Sequence, residues 1–143
     1  MAATSRAEAV WNGDLTSGSG RVKPGSEAFP ELPVSWASRA ESHHGKTSPE
    51  ELIAAAHAAC YCMAFSNGLS KAGHKVEELN TTAEVEFVPG TGITTSTLTV
   101  RGRVTGIDDA EFQRLAEEAK EGCPVSKALH GNVKLNLEAR LEQ

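Results

Sequence analysis

Aromatic residues are scarce in this chain, with two Trp, one Tyr and four Phe among 143 residues. That is too few for the stacking platforms on which single-stranded nucleic acid lies. Basic runs are missing as well, and the formal net charge is −5, so nothing supplies a phosphate-backbone footprint and no nucleic-acid partner is expected. Gly18-Ser19-Gly20 lacks the residues that a nucleotide-binding loop needs after it, and no Gly-x-Ser-x-Gly elbow occurs, which removes two common reaction classes. The longest apolar stretch, Leu52 to Phe65, covers 14 residues and includes His57; a bilayer span needs roughly 18 or more. Residues 1–14, MAATSRAEAVWNGD, lack the apolar centre of a secretion signal. A cytoplasmic protein with no membrane partner is expected. Cysteine is sparse too, at three, an odd number that in a reducing compartment predicts no structural disulfide. Each thiol is then packed, metal-bound or reactive.

The length predicts one domain over residues 1–143, large enough to bury a core without staples. Ala7, Ala9 and Trp11 alternate with Arg6, Glu8 and Val10 and run into the turn Asn12-Gly13-Asp14, which reads as a strand; a second turn cluster follows at Thr16-Ser17-Gly18-Ser19-Gly20. Residues 21–38 read as extended, interrupted by Pro24, Pro30 and Pro33. Ser48-Pro49-Glu50-Glu51 starts a helix, with Ser48 as N-cap, Pro49 at the first position and Glu51 closing a capping box. From Leu52 to Phe65 that helix is apolar all round and alanine-rich, the pattern of a fully buried element, and Gly73 marks its stop. Burying such a helix completely favours a dimer in which a second subunit covers it.

Residues 81–88 and 93–105 read as a hairpin about Pro89-Gly90-Thr91-Gly92, with Leu98, Val100 and Val104 facing one way. Asp108-x-x-Glu111 caps a helix whose Phe112, Leu115, Ala116 and Ala119 share a face, Gly122 ends it, and Pro124 opens a short helix to Leu129. A final strand alternates from Val133 to Leu141. The order predicts an α+β fold with an antiparallel sheet and a buried central helix.

Two cysteines sit in contrasting settings. Cys123 precedes Pro124 and is the expected N-cap of the short helix, where free N–H groups and the positive dipole end favour a thiolate. Cys60 lies inside the apolar helix, where burial opposes ionisation; it becomes a nucleophile only beside a cation, for which Arg21, Arg39 and Lys46 are the candidates. Glu50, ten residues earlier and loosely on the same side of the helix, needs a partner if buried, and an arginine is the obvious one. Cys62 points elsewhere and reads as core. His57, one turn before Cys60, could serve as a base or with Cys60 as a metal ligand, although no second ligand pair accompanies it. His43 and His44 read as solvated loop residues. A buried thiol paired with one at a helix start suggests a redox pair.

Together these motifs resemble the OsmC/Ohr family, the osmotically inducible protein C and organic hydroperoxide resistance proteins. The resemblance is carried by Thr47-Ser48-Pro49-Glu50-Glu51-Leu52, by Ala54-Ala55-Ala56-His57-Ala58-Ala59-Cys60 and by Gly122-Cys123-Pro124-Val125-Ser126. Trp11-Asn12-Gly13-Asp14 and Ser38-Arg39-Ala40-Glu41 also fit, the last with the helix motif favouring the OsmC branch. The resemblance implies an intertwined homodimer and a thiol peroxidase of stress defence. Cys60 would attack the peroxide and become a sulfenic acid, and Cys123 would resolve it as a disulfide. Arg39, held by Glu50, would lower the pKa of Cys60, with Arg21 as the second candidate. No bound cofactor or metal is implied. The reductant would be an external dithiol such as dihydrolipoamide. An apolar wall of Ile53, Met63 and Phe65 around Cys60 would favour organic hydroperoxides over hydrogen peroxide. Two rival readings are a zinc-assisted hydrolase using His57, Cys60 and Cys123, and a stress-induced binding protein whose thiols are only packed.

Overall fold

A computed structural model describes residues 1–142. The chain forms two compact units, Met1–Leu52 and Ile53–Gln143.

In the first unit β1 (Ala7–Asn12), β2 (Ser19–Pro24) and β3 (Leu32–Val34) form an antiparallel sheet in that order. Trp11 pairs with Gly20. Its ring lies over that glycine so closely that a Cβ there would sit 2.5 Å from Trp11 Cε3, which is why a glycine stands in the middle of a strand. After β3 comes α1 (Trp36–Ala40), in a segment expected to be extended. Five residues are too few to show a helical period. Its start is nonetheless written in the sequence, since Ser35 and Ser38 cap each other reciprocally through side chain and backbone.

Helix α2 (Pro49–Lys71) begins as Ser48 predicts, with the Glu51 N–H donating to Ser48 Oγ at 3.1 Å. The return half of the capping box differs, because the Glu51 carboxylate accepts from the Thr47 hydroxyl at 2.7 Å. The helix has 23 residues, and an 18-residue window of it has a mean hydropathy of 1.3, enough by length and composition alone to cross a membrane. Within the single chain one stripe of it is buried, and the expected burial of its other sides requires the second subunit. His57, Tyr61, Phe65 and Leu69, spaced by one turn, are buried, whereas Ala55, Ala56, Ala59 and Met63 are exposed. A helix laid on a sheet covers a single stripe.

In the second unit β4 (Lys75–Val88) and β5 (Gly92–Thr105) form an antiparallel hairpin, β4 starting six residues before the alternation at 81–88 is visible. Helices α3 (Asp109–Gly122) and α4 (Pro124–Leu129) then lead to β6 (Lys134–Glu142). β6 pairs with β5 in parallel, not antiparallel as expected, since a helical crossover returns the chain in the same direction. The α+β class holds. One face of β5 carries Ser96, Leu98, Val100, Gly102 and Val104, all buried. Leu98, Val100 and Val104 belong to one core with Tyr61, Phe65 and Leu69 of α2 and Phe112, Leu115, Ala116 and Ala119 of α3. Phe65 stands at the centre of the aromatic contacts, 5.6 Å from Tyr61 and 5.1 Å from Phe112 between ring centroids.

Candidate active site

Two of the expected site residues meet in the second unit. Cys60, from the middle of α2, packs against the core cluster that contains Cys123, between α3 and α4, and the two thiols are near enough to influence each other's ionisation. Cys123 is the N-cap of α4 with Pro124 at its first turn, as the sequence predicts; its side chain makes no capping hydrogen bond. The two thiols differ in access. Cys123 is fully buried, while Cys60 is half-buried and can be reached from outside. Burial pushes the Cys60 thiol up from its ordinary range, and the neighbouring Cys123 pushes it further, whereas the backbone N–H of Val125 pulls it down. An N–H from the first turn of α4 therefore favours the charged form of the Cys60 sulfur.

Arg39 and Glu50 meet in the first unit. Ser38 donates from Oγ to the Thr47 carbonyl at 2.9 Å, and the Thr47 N–H donates to the Pro33 carbonyl at 3.0 Å, so α1 is tied to the segment that opens α2. That places the guanidinium of Arg39 in a two-pronged grip on Glu50, Nε to Oε1 at 3.1 Å and Nη2 to Oε2 at 2.9 Å. The Glu50 side chain is 6% exposed and that of Arg39 33%. Arg21 pairs instead with Glu31 at 3.2 Å, both about half exposed.

The remaining candidates separate. Cys62 is half-buried on another side of α2, with Sγ 3.0 Å from Thr81 Oγ1. His43, in the exposed loop, lies 3.3 Å from Ser48 Oγ. The expected apolar wall around Cys60 is not assembled. Phe65 is sealed in the core against Tyr61 and Phe112, Met63 is 72% exposed, and successive steps of about 100° along the helix send them to different sides.

Two residues escaped the sequence reading. Ser96 and Ser126, both buried, hold the imidazole of His57, with Nδ1 2.6 Å from Ser96 Oγ and Nε2 2.8 Å from Ser126 Oγ. Both ring nitrogens are thereby engaged, so His57 offers no lone pair toward the thiols, and among the described residues no cluster of three or more His, Cys, Asp or Glu is placed to hold a metal ion. The signal for Ser96 was present in the sequence, since a polar residue occupies the Leu98–Val100–Val104 face of β5.

Burial holds the His57 pKa below its ordinary 6.5. As the pH falls through 6.5, this histidine takes up a proton in the unfolded chain that the folded chain refuses. The unfolded state then binds more protons and stability is lost, until the folded pKa is also passed. The urea midpoint is expected to be lower at about pH 5.5 than at about pH 7.5. The drop should shrink in His57→Gln; an equal drop in both proteins would show that His57 does not carry it.

The OsmC-like protein family model matches residues 42–138. The chain is 38% identical to peroxiredoxin OsmC of Escherichia coli K12 over 138 residues, covering 94% of this chain and 96% of that one. It is 34% identical to organic hydroperoxide resistance protein OhrA of Bacillus subtilis over 107 residues, covering 70% and 72%. A crystal structure of an organic hydroperoxide resistance protein OsmC from Legionella pneumophila superposes with a TM-score of 0.71 at 26% identity, covering 96% of this chain and 97% of that one.

Proposed function

The chain belongs to the OsmC-like protein family, and from that premise we propose that it is a peroxidase of hydroperoxide defence working through Cys60 and Cys123. The observation that carries this reading is the proximity of a half-buried thiol, Cys60, to a buried one, Cys123. The Cys60 thiolate attacks the terminal peroxide oxygen, the O–O bond breaks, and the alkoxide leaves with a proton as the alcohol. Cys60 becomes a sulfenic acid. The Cys123 sulfur then attacks the Cys60 sulfur, water leaves, and a disulfide remains. The order follows from access, since the exposed sulfur meets the peroxide and the covered one meets only its neighbour.

Burial opposes ionisation of Cys60, so a cation is required to generate the thiolate. Arg39 is proposed for that role on the strength of the family resemblance, its guanidinium held by Glu50. Its guanidinium would also orient the peroxide. The exposed alanine face of α2 with Met63 supports a homodimer, since small side chains permit close approach and an apolar surface of this kind is characteristic of interfaces. A cytoplasmic location, away from membranes, is part of the same reading and is supported by the kind of its relatives. The dithiol that reduces the disulfide is proposed to be of the dihydrolipoamide type. No bound cofactor is required for these steps. The preference for organic hydroperoxides rests on the relatives' names.

The test is a denatured free-thiol count before and after one equivalent of cumene hydroperoxide per subunit, repeated with hydrogen peroxide. Three thiols should fall to one, and faster with the organic peroxide. An unchanged count would leave the packed-thiol binding protein as the better reading.

A further inference from the structure

His57 is fully buried, and the peroxide chemistry above makes no use of it. With its pKa lowered by burial, the imidazole is neutral, so one ring nitrogen donates and the other accepts. Each serine completes the pattern, one as acceptor and one as donor, and three elements are joined: β5 through Ser96, α2 through His57 and α4 through Ser126.

The spacing gives the clamp its meaning. Cys60 follows His57 by three residues on α2, and Ser126 follows Cys123 by three at the start of α4. His57 bonds Ser126, and Cys60 lies near Cys123 in the same core cluster. The polar link between the two helices therefore sits a single turn from the thiol pair on both of them. We infer that His57, through Ser126, is a positioning residue that sets the register of Cys123 against Cys60 and so governs formation of the bond between them. Its consequence for catalysis rests on the peroxidase reading. A well-placed Cys123 attacks the Cys60 sulfenic acid and water leaves. A misplaced one allows a second hydroperoxide to transfer an oxygen to the same sulfur, giving a sulfinic acid and an alcohol.

A buried site of this kind is sensitive because attack requires the two sulfurs in line and close to contact. A displacement of about 1 Å lowers such a step by up to roughly a hundredfold. Ser96 acts on the other side of the ring and does not touch α4, so it separates register from mere burial of the imidazole.

The experiment uses the full chain and three variants, Ser126→Ala, Ser96→Ala and His57→Gln, the last able to present both a donor and an acceptor from one amide. In the first arm the reduced proteins are oxidised with diamide, which joins two thiols without peroxide chemistry, and Cys60–Cys123 disulfide formation is followed by intact mass. In the second, graded cumene hydroperoxide is added and the ratio of Cys60 sulfinic acid to disulfide is read by mass. That ratio does not depend on how fast Cys60 is first oxidised. Ser126→Ala is expected to slow disulfide closure with diamide by about tenfold or more and to raise the sulfinic ratio by a similar factor. Ser96→Ala and His57→Gln should stay close to the parent in both. A parent-like rate and ratio in Ser126→Ala overturn the inference. An equal defect in Ser96→Ala also overturns it, since the clamp would then act only as core structure. If the parent closes its disulfide with diamide but not with hydroperoxide, the peroxidase reading fails while the register role is still decided by the first arm.

Discussion

Cys60→Ser is expected to lower consumption of cumene hydroperoxide by roughly 10³-fold or more, the scale on which loss of a covalent nucleophile is felt. A serine hydroxyl in this half-buried setting neither ionises near neutral pH nor accepts an oxygen from a peroxide. Cys123→Ser should behave differently. Its Cys60 still meets peroxide, so a first equivalent is consumed and the protein stops at the sulfenic acid, which dimedone captures. Cys62→Ser should match the parent, because that sulfur faces Thr81 and not the thiol pair. Stopped-flow peroxide consumption with mass analysis of each variant distinguishes the three. If Cys123→Ser were inert toward the first equivalent while Cys60→Ser consumed it, the two roles would have to be exchanged. That outcome would also be at odds with the burial of Cys123, which keeps its sulfur from solvent.

The sequence discloses this site unevenly, and the reasons are physical. Cys123 was legible because proline at the first helical position marks a helix start, and the residue before it must be the cap. That Glu50 takes an arginine was legible from chemistry, since a carboxylate at a buried helix start demands a fork-shaped cation, while the choice of Arg39 over Arg21 came from the family resemblance. Helix α1, which presents Arg39, was not visible as a helix; at five residues it shows no period, and only the Ser35-x-x-Ser38 box announces it. Which side of α2 meets its own sheet was not legible for another reason. Alanine fits a buried face and an exposed one equally well, so an all-apolar pattern cannot say which side the sheet takes. The parallel pairing of β6 was hidden because alternation fixes which face a strand buries and carries no sign of its direction. The His57 clamp depends on residues 39 and 69 positions away, beyond any local pattern, although Ser96 on an apolar face was a clue.

Arg39 and Arg21 are expected to give opposite results when replaced by alanine. Arg39→Ala leaves the Glu50 carboxylate, 6% exposed, without its fork. Breaking a buried ion pair in this way costs about 3–5 kcal/mol, and the partial exposure of Arg39 argues for roughly the lower end. Arg21 and Glu31 are both about half exposed, and such pairs contribute about 0–1 kcal/mol. Urea unfolding should therefore show a clear loss for Arg39→Ala and almost none for Arg21→Ala. Reactivity should divide the same way under the proposed role. An opposite charge beside a thiol lowers its pKa by about 1–3 units, so removing it cuts the thiolate population at neutral pH by between about tenfold and a thousandfold. Peroxide oxidation of Cys60 should slow accordingly in Arg39→Ala and proceed normally in Arg21→Ala. Instability alone could mimic the first result, and Glu50→Gln separates the two causes. It removes the buried charge while keeping a hydrogen-bond acceptor for Arg39, so the protein should remain folded while the guanidinium is held less firmly and oxidation slows by a smaller factor. Arg39→Lys adds a second check, since it keeps the charge and loses the two-pronged geometry. If both Arg39 variants, at temperatures where they are fully folded, react with hydroperoxide at the parent rate while Arg21→Ala does not, the activating cation is Arg21, and the Arg39–Glu50 pair has only the structural task of fastening α1 to the start of α2.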